Sequence, residues 1–106
     1  MKTIKMLSCD IECNIREAEE KISTAYRLKS DHPAMALWYK EMAIAHLNFN
    51  TKGHELVAAE ITNYRNSDDY KQHPEYADGM MAVWNDKHSD LIAKTAMVKA
   101  MIDSFK

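Results

Sequence analysis

The chain has 106 residues, with 16 acidic against 14 basic side chains for a formal net charge of −2, and eight methionines beside only two glycines and two prolines. That length supports one domain, 1–106, with a single modest core, and that composition favours long helices over the turn-rich β-sandwich. No block of Lys and Arg is present to neutralise a phosphate backbone, which argues against nucleic acid as a partner.

The opening stretch, "MKTIKMLSCDIEC", has a broken apolar run interrupted by Asp10 and Glu12, without the continuous hydrophobic segment and cleavage site of a signal peptide. No other segment approaches the ~20 apolar residues that span a bilayer. The expectation is a soluble, cytoplasmic protein with no membrane partner. Ile4, Leu7, Ile11, Ile15, Ala18, Ile22 and Ala25 recur at threes and fours, which predicts a first helix over about 4–29 with "REAEEK" on its solvated side. Cys9 and Cys13, four apart, project from one side of that helix, roughly opposite the apolar stripe. They read as free surface thiols; an intermolecular disulfide or a metal role are the other readings.

"SDHP" stops the first helix, with Ser30 or Asp31 a fit N-cap and Pro33 a fit first-turn residue for the second. So short a connection predicts an antiparallel hairpin. Along helix two the sequence suggests an inner stripe of Met35, Trp38, Met42, His46, Phe49, Gly53, Leu56 and Glu60, flanked by Tyr39, Val57, Ile61 and Tyr64. "NFNTKG" is poor helix-forming sequence, so a kink or break is expected near Asn50–Gly53. The pattern disappears in "RNSDDYKQHPEYADG", read as a polar loop ending where Pro74 opens the last helix. There Ala77, Met81, Trp84, His88, Leu91, Thr95, Val98, Ile102 and Phe105 form a heptad-like seam. The fold class is therefore all-α, an antiparallel bundle of three long helices. Its expected core is Ile11, Ile15, Ile22, Trp38, Met42, Phe49, Leu56, Trp84, Leu91, Val98 and Ile102.

Candidate chemistry rests on few residues. His46 and His88 fall on inner faces, whereas His32, His54 and His73 fall in loops or on outer faces. Antiparallel pairing places Gly53 opposite His88 and His46 opposite Thr95, which separates His46 from His88 by roughly 10 Å along the axis, too far for one ion. Gly53 is read as making room for Trp84 and His88, and the histidines as packing residues that each satisfy one nitrogen on a neighbour. Glu60 at the centre of a stripe needs a partner, solvent or a frayed helix end. No Gly-rich phosphate loop, nucleophile elbow or HExxH pattern is present, so no catalytic residues and no cofactor are assigned.

Over "DHPAMALWYKEMAIAH" and "MMAVWNDKHSDLIAKTAMVKAMIDSFK" the chain resembles small ferritin-like helical proteins of bacteria and their prophages, from about residue 11 onward. The resemblance implies that fold. Ferritin-like di-iron sites use inward carboxylates and a Glu-x-x-His motif from each of two helices. Those motifs would fall at His46 and Phe49 and at Asn85 and His88, and only His88 matches. The preferred functional reading is a non-catalytic protein, phage- or prophage-encoded, that acts by binding or self-association, as a homodimer or with a protein partner. The alternative is an iron- or manganese-binding ferritin-like protein using His46, His88, Glu60 or Glu19.

Overall fold

A computed structural model describes residues 4–106, and every regular element among them is helical: α1 Ile4–Leu28, α2 Pro33–Arg65, α3 Asp68–Gln72 and α4 Pro74–Asp103. Both long helices after α1 start the same way. His32 and His73 are the N-cap residues, with φ, ψ of −137°, 67° and −135°, 60°, and each precedes a proline at the first helical position. Proline bars α geometry at the residue before it, so neither helix can extend backward past its histidine. The cap falls at His32, beyond the expected Ser30 or Asp31, because Pro33 sets the boundary. The polar loop expected after α2 contains a short helix. Ser67 Oγ accepts from the Tyr70 amide at 3.3 Å, and Asp68 and Asp69 sit in the first turn against the positive end of the helix dipole.

The stripes read for the first and last helices are the ones that pack. Leu7, Ile11, Ile15, Ala18, Ile22 and Ala25 of α1 and Ala77, Met81, Leu91, Val98 and Ile102 of α4 are buried, and Phe105 is buried just past the end of α4. Numbers rise along α1 as they fall along α2: Asn14 meets His46, and Ile11 meets Asn50 and Gly53. Along α4 they fall again relative to α2, from His54 with His88 to Tyr64 with Trp84. At one end Phe105 meets the Tyr26 ring edge-on at 5.1 Å, and the Tyr26 hydroxyl donates to the Met101 carbonyl at 2.8 Å, fastening the last turn of α4 to α1. At the other end Trp84, Tyr64 and Tyr70 stack edge to face.

Helix α2 departs from its sequence reading in two ways. Its buried line is Ala36, Ala43, Leu47, Asn50, Val57 and Ile61, so it is turned by about one residue, ~100°, from the expected stripe. Val57 and Ile61, read as flanking, are core. Trp38, Phe49 and Leu56, read as core, are exposed; Met42 and Trp84 are half-buried. Two small alanines and a polar Asn50 make the packed line look less apolar than the exposed one. The expected break near Asn50–Gly53 is also absent, since α2 runs unbroken through these residues. Packing outweighs their weak helix propensity: the Asn50 amide nitrogen donates to the Ile11 carbonyl at 3.2 Å. Gly53 lies so close to α1 that an added Cβ would be 2.9 Å from Ile11 Cγ1. Gly53 thus makes room for Ile11, and not for Trp84 and His88 as its assumed orientation implied.

The result is thin and long, 61 × 22 × 15 Å, with a radius of gyration of 17.3 Å against about 13 Å for a compact domain of this length. Its accessible surface, 7097 Å², exceeds by roughly 1,000 Å² what a globular monomer of this size exposes. No helix among the described residues is long and apolar enough to cross a membrane.

Candidate functional site

Two arrangements stand out, on different faces of α2. The first is polar and lies between α2 and α4. His54 Nδ1 is 3.2 Å from His88 Nε2, with ring centroids 5.2 Å apart, and His54 Nε2 is 3.2 Å from Thr95 Oγ. Thr95 Oγ in turn donates to the Leu91 carbonyl one turn back, at 2.8 Å. Because the hydroxyl proton is used on Leu91, the oxygen is free to accept, and the network assigns the His54 proton to Nε2. Nδ1 then carries a lone pair that accepts from the Nε2–H of His88. Burial holds His54 below its ordinary value near 6.5, and the neighbouring charge of His88 adds to this; burial alone lowers His88. Both imidazoles are neutral at pH 7.

The second arrangement is apolar and faces outward. Met35, Trp38, Phe49 and Leu56 are exposed, Trp38 by 58% and Phe49 by 69%, and Met42 between them is half-buried. Met35, Met42, Phe49 and Leu56 recur every seven residues, while Trp38, Ala45, Lys52 and Ala59 fill the position three further on. That is a coiled-coil seam left uncovered by the described residues of the same chain. Where it meets α1 it borders a groove of about 460 Å³ lined by Leu7, Ile11, Cys13, Phe49, Gly53 and Leu56. Cys9 and Cys13 are both free and exposed.

The residues proposed from sequence are scattered. His46 is half-buried toward α1, its Nδ1 3.2 Å from Asn14 Oδ1. Eight residues of α2, about 12 Å of helix, separate it from His54 and so from the level of His88. Glu60 is half-buried in an open groove with Lys5, Asn63, Tyr64 and Trp84, and Glu19 is exposed on α1. Phe49 and Asn85, in the two carboxylate-histidine slots of the ferritin-like pattern, are exposed. Searches against protein-family models, curated proteins and solved structures find no match to this chain.

His54 was placed on an outer face by sequence reasoning, and the one-residue error in the phase of α2 accounts for that. The clue was present: Asn50, His54, Val57, Ile61 and Tyr64 also recur at fours and threes. Among the described residues no three His, Cys, Asp or Glu side chains gather into a metal-binding group. Asn50 is 1% exposed, and its Oδ1 has no hydrogen-bond partner among the described residues.

Proposed function

We propose that this chain is a non-catalytic helical protein that works by self-association, with the outward stripe of α2 as the surface on which a second copy docks. The observation that carries the reading is the exposed seven-residue repeat of Met35, Phe49 and Leu56 with Trp38 beside it. At ~200 Å² for a fully exposed large side chain, those four leave roughly 400 Å² of apolar surface in one line, within the range of the largest patches on monomers, which are often functional. With the flanking residues, a helix laid along the stripe approaches the ~800 Å² per partner of a standard interface, similar to the excess surface of the thin monomer.

The stripe is also self-complementary. Two copies paired in opposite directions set Trp38 against Leu56, Phe49 against Ala45 and Met35 against Ala59, the last two pairs large against small. Lys52 of one copy then falls at the level of Met42, beside Glu41 of the other, where its charge meets an opposite one at the rim. A cytoplasmic, antiparallel three-helix homodimer with ferritin-like kinship, encoded by a bacterium or its phage, is the fuller form of this proposal. Sedimentation equilibrium on the untagged chain tests it. Mass rising to that of a dimer with concentration supports the proposal, and a monomer throughout the accessible range removes it.

A further inference from the structure

We infer that His54 and His88 form a binding site for a divalent transition ion of borderline softness, zinc, nickel or copper(II), with water completing the coordination. The site lies on the α4 side of α2, away from the outward stripe, and does not depend on self-association. Two nitrogens each ~2.05 Å from a tetrahedral ion lie about 3.3 Å apart, and His54 Nδ1 and His88 Nε2 already stand 3.2 Å apart. The ring centroids fit too. With each centroid ~1.2 Å behind its nitrogen, a shared tetrahedral ion sets them about 5.2 Å apart, the distance observed. The nitrogen pair therefore needs only a small opening, and α2 and α4 need not move apart.

The surroundings orient His54 as a ligand. Metal-bound histidines hold their second nitrogen on an acceptor, which fixes the tautomer and the ring plane. His54 does this through Thr95, whose own proton is tied to the Leu91 carbonyl, so the lone pair on Nδ1 is aimed at His88 before any ion arrives. On binding, the ion takes the His54 Nδ1 lone pair and the His88 Nε2 lone pair. The proton that His88 carried on Nε2 moves through water to its Nδ1, so His88 stays neutral and no net proton is released. Two neutral imidazoles and no gathered carboxylates suit zinc, nickel and copper(II), and disfavour the hard ions manganese and magnesium.

The exposed Cys9 and Cys13 are a competing zinc site and are removed first, as Cys9→Ser with Cys13→Ser, in the untagged full-length chain. Calorimetric titration of that protein with zinc chloride at pH 7.5 is expected to show one saturable equivalent. His54→Gln and His88→Gln should each weaken it at least tenfold, and His46→Gln should leave it unchanged. Nitrogen-resolved NMR of the unmutated imidazoles supplies a readout independent of how well those variants fold: zinc should shift His54 Nδ1 and His88 Nε2. Absence of saturable uptake, shifts centred on His32, His46 or His73, or manganese binding as tightly as zinc would each overturn the assignment.

Discussion

Adding one methyl group at each glycine separates two environments that sequence alone does not distinguish. In an open helix interior, Gly→Ala stabilises by about 0.8–1.0 kcal/mol, and Gly79 is such a place, with nothing within 4 Å of an added Cβ. At Gly53 the same change sets a Cβ 2.9 Å from Ile11 Cγ1 and 3.3 Å from Ile11 Cδ1. Ile11 is 1% exposed, and Cγ1 is close to its backbone, so it cannot swing clear. Overpacking of this kind costs about 1–3 kcal/mol. Against the propensity gain, Gly53→Ala should therefore destabilise by about 1 kcal/mol while Gly79→Ala stabilises by a similar amount. In an Ile11→Ala background the clash is gone and the sign at Gly53 should reverse, a coupling of about 2 kcal/mol. Urea unfolding followed by circular dichroism, at one protein concentration for all variants, measures each step. If Gly53→Ala stabilises as much as Gly79→Ala, the close seat of α2 on α1 is wrong.

Three further outcomes follow from named contacts. Because the folded-state values of His54 and His88 lie below the unfolded value near 6.5, the unfolded chain binds more protons as pH falls; stability should be level above about pH 6.5 and decline below it, and His88→Gln should flatten that decline in urea midpoints measured from pH 8 to 5. Trp84 is half-buried and meets the Tyr64 ring edge-on at 5.2 Å, so Trp84→Ala should cost about 1–3 kcal/mol, short of the ~3–5 kcal/mol of a fully buried aromatic; a larger loss in thermal unfolding contradicts its partial exposure. Asn50→Leu removes a buried oxygen that has no partner among the described residues and one hydrogen bond to Ile11, and stability within about 1 kcal/mol of the parent is expected, whereas a loss above ~2 kcal/mol would show that the amide is essential to holding α2 together.

The stripe of α1 was legible because that helix has one apolar line and a polar remainder, and the stripe of α4 because its line alternates fours and threes without a break from Ala77 to Phe105. Ile11, Ile15 and Ile22 have no rival on α1, whereas α4 also carries exposed Tyr76, Val83, Ile92 and Met97 outside the line of Leu91, Val98 and Ile102. On α2 two lines compete about 100° apart, and the more apolar of them, Met35 to Leu56, is the one that faces out. Periodicity measures how apolar a face is; it does not say whether the cover comes from the same chain or another. The failure to find the packed face of α2 and the proposed docking surface are thus one fact seen twice. The imidazole pair was hidden by the same error, since a one-residue turn moves His54 from the outer face to α4. The level was right for one pair and wrong for the other: Gly53 was read opposite His88, which its neighbour His54 meets, but Thr95, read opposite His46, is also met by His54. Helix α3 escaped notice because a single turn, held by Ser67 and two aspartates, leaves no periodic trace.

The most direct test of the self-association proposal compares the parent chain with Trp38→Glu and Phe49→Glu by light scattering across a wide concentration range. Both side chains are more exposed than buried, so each variant should keep its helix content and lose no more than about 1 kcal/mol in urea unfolding once matched as a monomer. A dimeric parent with two folded, monomeric variants is the expected result. A monomeric parent, or folded variants that remain dimers, would contradict the assignment of the outward face of α2 as the interface.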